Sequence, residues 1–162
     1  MYMSTVDTPA GPFTMLVDRD GAVLASGWTD GPDALLPQVH KSLRGEIEAR
    51  ADAGAATTAV LDYLAGDLTA PDRIEVRQVS SGTFLSHAWD ELRRVKPGQP
   101  ISYTEFAARA GRPAATRAAA QACARNAVAL FVPCHRVLRN DGSLGGFRWG
   151  LDVKRWLLTH EE

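Results

Sequence analysis

The stretch ISYTEFAARAGRPAATRAAAQACARN, Ile101 to Asn126, holds two runs of helical spacing separated by Gly111-Arg112-Pro113. Thr104 to Ala110 and Ala114 to Arg125 predict two short helices joined through a glycine-containing turn, the arrangement of a helix-turn-helix. The second run carries alanine at positions 114, 115, 118, 119, 120, 122 and 124. Two readings of those alanines stand side by side. Alanine is the best helix former. It also slims a helix below its usual diameter of about 10–12 Å, enough to enter a widened minor groove, which in B-DNA is about 6 Å wide against about 12 Å for the major groove.

Toward the N-terminus, Leu85, Ala88, Trp89, Leu92 and Val95 repeat at three and four residues. They predict an amphipathic helix with Ser81 near its start and the PGQP turn, Pro97 to Pro100, at its end. Toward the C-terminus, AVALFV is a short apolar run that delivers the chain to Pro133-Cys134-His135-Arg136. NDGSLGG reads as a turn and glycine loop. LDVKRWLLTH, Leu151 to His160, reads as a closing helix with Val153, Trp156, Leu157 and His160 on its inner face. A structural cysteine behaves as a small apolar residue and needs no particular neighbours. Cys134, set between a proline and a histidine and followed by glycines, is therefore the candidate for chemistry.

The first half has another texture. FTMLVDRDGAVLASGW, Phe13 to Trp28, places two apolar-rich runs around an Asp-Gly pair, which signals a hairpin with strands over Phe13 to Val17 and Ala22 to Trp28. Pro32 to Ile47 and Ala56 to Leu64 have helical spacing, and Asp72 to Val79 alternates as a half-buried strand should. The fold class expected is α+β, bordering on α/β. A small N-terminal domain over residues 1–80, with a short antiparallel sheet and helices, precedes a mostly helical domain over residues 81–162 that holds the helix-turn-helix at about 104–125.

The formal net charge of −1 conceals an asymmetry between these halves. Residues 1–80 carry 6 Lys/Arg against 12 Asp/Glu, a balance of −6, and residues 81–162 carry 12 against 7, a balance of +5. A basic half is the footprint of a polyanion-binding surface, and equally of a solvated mixture of arginines. No apolar stretch approaches the roughly 20 residues of a membrane helix, and MYMSTVDTPAGP lacks a basic segment followed by an apolar one. A cytoplasmic protein with no membrane partner is expected. Two cysteines, Cys123 and Cys134, make neither a disulfide scaffold nor a CxxC pair. His40, His87, His135 and His160 never fall with them at zinc-ligand spacing, so no metal and no cofactor are expected.

Several motifs follow one another in order: SGTF, ISY, RAAAQACARN, VPCHRV, GGFRWG, and KRWLL with Glu161 after it. Over Gly82 to Glu161 the chain resembles the O6-alkylguanine-DNA alkyltransferases, the methylated-DNA–protein-cysteine methyltransferase family, in its bacterial form. The first half resembles that family's ribonuclease-H-like N-terminal domain only loosely, through TPAGPFTMLV and its hairpin. The resemblance implies a monomer that binds the minor groove of double-stranded DNA bearing O6-alkylguanine, turns the damaged nucleotide out of the helix, and moves the alkyl group to Cys134 once and irreversibly, with O4-alkylthymine as a further substrate.

The residues suit such chemistry. A thiol of pKa about 8.5 is mostly protonated at neutral pH, so attack on the alkyl carbon needs a base. His135 is the candidate base and Glu161 the group that would orient it. Neighbours in an extended chain point in opposite directions, and the family's answer, a water between thiol and imidazole, meets that difficulty. The resemblance implies that Tyr103 supplies a proton to the departing base, that Asn126 ties the end of the recognition helix to the active-site turn, and that Arg117 fills the stack behind the extruded nucleotide. It places Ser102, Ala118, Gln121 and Arg125 with Arg117 on the DNA-binding surface. Val137, Gly145, Phe147 and Arg148 fall in the substrate pocket, with Phe147 as an apolar wall.

Three positions depart from the family pattern. Ala127 stands where many relatives have proline, Arg148 and Trp149 stand where some have small residues, and the zinc ligands of some animal relatives have no counterpart. Two other classes fit parts of the chain. One is a helix-turn-helix protein that regulates transcription or recognises damage without chemistry, against which Cys134 stands. The other is a cysteine hydrolase or redox enzyme, for which neither a resolving cysteine nor an oxyanion-hole motif is present.

Overall fold

In the computed structural model, which describes residues 1–80 and 82–162, Asp18 builds the turn that the Asp-Gly pair announces. Its Oδ1 accepts from the backbone N–H groups of Asp20 at 2.9 Å and Ala22 at 3.0 Å. Gly21 takes a positive φ of 90° that a side chain would oppose. The turn joins β2 (Gly11–Val17) to β3 (Val23–Gly27), and β2 also pairs antiparallel with β1 (Tyr2–Thr8). The two-residue β1–β2 turn is closed by Thr8, whose hydroxyl donates to the Gly11 carbonyl at 2.6 Å. β4 (Glu48–Ala49) adds to β1 in parallel, giving the order β3-β2-β1-β4. The sheet is thus mixed rather than purely antiparallel.

Two elements expected in this half are absent. Pro32 to Ile47 forms no α-helix; it holds only the 3-10 turns Leu36–Gln38 and Lys41–Leu43. Pro37 sits inside the first, where its missing N–H and its ring stop a helix from propagating. Asp72 to Val79 makes no strand beyond a single bridge, Val76 to Val23. It begins instead in the 3-10 turn Ala70–Arg73, set by Pro71; Val23 donates to the Glu75 carbonyl at 2.9 Å and accepts from the Arg77 N–H at 3.0 Å, while the Arg77 side chain pairs with Asp18. α1 (Ala55–Leu64) forms where the periodicity places it. β1 has no counterpart in the sequence reading: only Ser4 and Val6 of this polar strand are buried.

The chain divides into two compact units: residues 1–79 with 127–131, and residues 80–126 with 132–162. Five residues of the second half therefore belong to the first unit. The Ser26 N–H donates to the Ala127 carbonyl at 2.9 Å, and the Ser26 hydroxyl to the Ala129 carbonyl at 2.7 Å. Phe131 joins Phe13 in the core with Met15, Leu16, Leu24, Leu35 and Tyr63. Each such buried side chain contributes about 1.5–3 kcal/mol.

In the second unit, α2 (Thr83–Leu92) buries Ala88, Trp89 and Leu92. The Trp89 indole donates to the Ala122 carbonyl at 3.0 Å. Ser81, expected near the start of this helix, lies outside the described residues. α3 (Tyr103–Arg109) is capped by Ser102, whose hydroxyl accepts from the Glu105 N–H at 3.0 Å. It ends in a Schellman arrangement: Gly111, φ 89°, donates to Ala108, and Arg112 to Ala107. α4 (Thr116–Ala124) starts two residues later than its alanines predict. Pro113 and a turn from Ala115 back to Arg112 occupy the intervening residues. β5 (Ile101–Ser102) and β6 (Val137–Leu138) pair in parallel, and α5 (Leu151–His160) closes the chain. Leu157 and Lys154 are its fully buried residues; Val153, Trp156 and His160 are half-buried, the last two stacked at 4.8 Å. No described helix is long and apolar enough to cross a membrane.

Candidate active site

Pro133 ends the apolar run, and the chain makes one 3-10 turn, Cys134–Arg136. The Cys134 N–H donates to the Val132 carbonyl at 2.8 Å, and the same carbonyl accepts from the Asn126 side chain at 2.8 Å. Asn126, just past the end of α4, thereby pins that helix to the turn that presents the cysteine. The position of Cys134 is half-buried. Burial pushes its thiol pKa up, while a hydrogen bond from Asn126 and the positive charges of Lys154 and Arg148 work the other way. The resting site holds a thiol that must be deprotonated for attack.

The imidazole beside it is fully buried. His135 Nε2 lies 2.8 Å from Glu161 Oε2. A carboxylate can only accept, so Nε2 carries the hydrogen and the neutral ring keeps a lone pair on Nδ1. Among the described residues Nδ1 has no hydrogen-bond partner. Burial lowers the His135 pKa, and the opposing pull of Glu161 does not restore it. The ring is thus a neutral acceptor with its free nitrogen available.

Glu161 owes its form to its donors. Burial alone would raise its pKa, but the bonds and charges of His135 and Arg136 hold it far below the usual carboxylate range. Arg136 Nε donates to Oε1 at 2.9 Å, Nη2 to Oε2 at 3.0 Å, and Nη1 to the Val95 carbonyl at 2.7 Å. The glutamate backbone is fixed as well. A side chain at Gly98, in the PGQP turn at φ 75°, would place its Cβ 2.9 Å from the Glu161 carbonyl oxygen.

Tyr103, the first residue of α3, is half-buried, and its phenol is pushed up to about 12 by burial, with the two cysteines adding to the effect. It is a protonated donor at neutral pH. The glycine loop packs on its ring: a Cβ at Gly145, φ 72°, would come within 3.3 Å of Tyr103 Cε2 and Oη. Lys154 reaches up from α5 to the carbonyls of Val137 at 2.9 Å and Gly146 at 3.3 Å. Arg148 donates to the Ala124 carbonyl at 2.6 Å, at the C-terminus of α4. There its charge meets the negative end of the helix dipole. Phe147 is half-buried within the same loop.

A profile of the 6-O-methylguanine DNA methyltransferase DNA-binding domain matches residues 83–162. The methylated-DNA–protein-cysteine methyltransferase of Salmonella typhimurium is 34% identical over 160 residues, spanning 96% of this chain and 92% of that one. The chain belongs to the methylated-DNA–protein-cysteine methyltransferase family. A solved variant of the Mycobacterium tuberculosis O6-methylguanine methyltransferase superposes with a TM-score of 0.79 at 30% identity, covering 99% of this chain and 92% of that one. A structure of the Mycobacterium tuberculosis OGT in complex with DNA gives 0.77 at 27%, with the same coverage.

In this member of the family, Cys134, His135, Glu161, Asn126 and Tyr103 lie in the second unit with Val137, Gly145, Phe147 and Arg148. Arg117 and Gln121 are exposed on α4 and Arg125 at its C-cap, with Ala118 half-buried beside Arg117. Ala119 and Ala122 face the core, so the alanine-rich sequence serves packing on one side while leaving a slim surface on the other. Ser102 spends its hydroxyl lone pair on capping α3. Arg136 and Lys154 complete the site and were not singled out by sequence reasoning. Lys154 sits three residues before Leu157, so the helical period alone assigns it to the inner face, and its charge there was the signal.

Proposed function

We propose that this chain repairs alkylated DNA by taking the alkyl group of O6-alkylguanine, and of O4-alkylthymine, from duplex DNA onto Sγ of Cys134. The reading is carried by two pairs on either side of one turn: Asn126 holds the Val132 carbonyl where the Cys134 turn begins, and the residue after the cysteine, His135, is a neutral imidazole oriented by Glu161. His135 takes the thiol proton through an intervening water, and the thiolate attacks the alkyl carbon. A carbon–sulfur bond forms as the carbon–oxygen bond breaks, and the electron pair stays on the guanine. Tyr103 protonates the departing base, and the proton taken from sulfur balances the one given up. The thioether product is a poor leaving group, so each molecule reacts once.

Residues 81–162 form the working domain, entering the minor groove as a monomer through α4. Ser102, Arg117, Ala118, Gln121 and Arg125 contact the DNA, and Arg117 occupies the gap left by the extruded nucleotide. Val137, Gly145, Phe147 and Arg148 line the pocket for the flipped base, in the cytosol where the substrate DNA lies. The test is direct: incubate the protein with duplex DNA carrying O6-methylguanine, weigh the intact protein and map the peptide. One added methyl on Cys134 is expected. Methyl on Cys123, or several turnovers per protein, overturns the reading.

A further inference from the structure

Arg136 is fully buried, and all of its guanidinium hydrogen bonds are spent within the site. It grips both oxygens of the carboxylate that His135 also uses, and its third contact, to the Val95 carbonyl, anchors it to the chain leaving α2. An arginine is permanently charged, and its planar fork matches a carboxylate in two parallel bonds. Such a pair is close to neutral as seen by a third group. This matters because a lone carboxylate against an imidazole favours the imidazolium, and an imidazolium cannot accept a proton from a thiol.

We propose that Arg136 is a positioning residue that neutralises Glu161, so that the carboxylate orients His135 through one hydrogen bond without drawing a proton onto it. Glu161 then supplies direction and Arg136 removes the charge that would come with it. The charged groups around the imidazole are Glu161 at the end of α5, Lys154 within α5 and Arg136 in the 3-10 turn, with the Cys134 thiol adjacent in the chain. Both cations oppose protonation of the ring; Arg136 bonds the carboxylate directly, while Lys154 bonds the carbonyls of Val137 and Gly146. Burial is the largest cause of the low proton affinity of His135; Glu161 opposes it through its hydrogen bond and charge, and Arg136 and Lys154 reinforce it. The inference rests on the reading of His135 as the base.

The test uses the full chain and two readouts: the titration midpoint of the His135 imidazole by NMR, and the pH dependence of the single-turnover rate on an O6-methylguanine duplex. In the wild type the midpoint is expected below the ordinary histidine value of about 6.5. Arg136→Gln keeps a hydrogen-bond donor but no charge, and should raise the midpoint by about one to three pH units, carrying the acid limb of the rate profile with it. Arg136→Lys keeps the charge without the fork. It should leave the midpoint near that of the wild type while slowing transfer.

A folded Arg136→Gln protein with an unmoved midpoint overturns the proposal, as does Arg136→Lys shifting the midpoint as far as Arg136→Gln. Should Arg136→Gln fail to fold, the wild type still decides: a midpoint at or above the ordinary value overturns it. A midpoint that moves as expected while the rate profile stays put supports the arginine's role and refutes His135 as the base.

Discussion

α4 and α5 are helices of similar length, nine and ten residues, that dispose of their polar groups in opposite ways. α4 turns Arg117, Gln121 and Arg125 to solvent and packs alanines inward. α5 buries Lys154 and ends on the buried Glu161, leaving Arg155 and Asp152 outside. A solvated charge costs nothing to hold and is available to a polyanion. A buried charge must be paired or fully bonded, and in return it sets the protonation of its neighbours. The difference assigns work: substitutions on the outer face of α4 should alter engagement of duplex DNA, and substitutions at the inner end of α5 should alter the chemistry.

The largest expected effect is at Glu161. Glu161→Gln leaves the Arg136 guanidinium buried without its counter-charge, a loss of about 3–5 kcal/mol of stability that denaturant titration would read. Transfer by the remaining folded protein should slow by about 10²-fold or more, while affinity for undamaged duplex stays within a factor of two or so of wild type. Equal losses of binding and chemistry would erase the division between the two helices.

Stability against pH sharpens the same point. The pKa values of His135 and Glu161 are both depressed in the folded state. The unfolded chain therefore binds more protons than the native one, and stability falls as pH falls. The contribution of these two groups to thermal stability should be fully present above about pH 6.5. The first decline below that value comes as His135 is forced to charge, and a second begins below about pH 4.3 as Glu161 is protonated. A midpoint temperature flat between pH 7 and pH 5 would contradict the buried neutral imidazole.

Arg117→Ala addresses the other helix. Extruding a stacked base costs a few kcal/mol, and free O6-alkylguanine bears no such cost. The variant should lose most of its rate on duplex DNA yet react with the free modified base almost as fast as wild type, with single-stranded DNA between. An equal slowing on all three substrates would move Arg117 from the DNA face to the pocket. A smaller effect is expected at Gly98, where alanine must adopt a left-handed backbone at about 1–2 kcal/mol and press on the Glu161 carbonyl. Gly98→Ala should slow transfer on the free base and on duplex alike. Smallest is Ser102→Ala, which removes the cap of α3 at about 1 kcal/mol, read as a lowered melting temperature.

How much of this was legible in advance varies with position. α1, α3 and α5 lie within a residue or two of where hydrophobic period and turn residues place them, whereas α2 ends at Leu92, short of Val95 and the PGQP turn expected to close it. The Asp18–Gly21 turn follows from its composition. The expected helix over Pro32 to Ile47 failed because Pro37 interrupts a run whose apolar spacing is otherwise helical. The expected strand over Asp72 to Val79 shrank to one bridge with Val23 because Pro71 sets a 3-10 turn at its start and alternation describes a strand's faces, not how far its backbone is paired. β1 was invisible for the converse reason: it buries only Ser4 and Val6, and its backbone pairing with β2 forms the strand.

The residues of chain chemistry are local properties, and the sequence by itself determined them: the Pro-Cys-His-Arg turn, the glycines that permit positive φ, the helix pair joined through Gly111 and the charge asymmetry between halves. Tertiary structure alone decided what lies opposite each group. It returned residues 127–131 to the sheet unit, brought Glu161 across 26 positions to His135, and set Arg136 on both carboxylate oxygens. A helical period says which face a charge occupies. Only the folded chain says whether a counter-charge waits there, because that pairing is a contact between segments whose separation along the chain carries no trace of it.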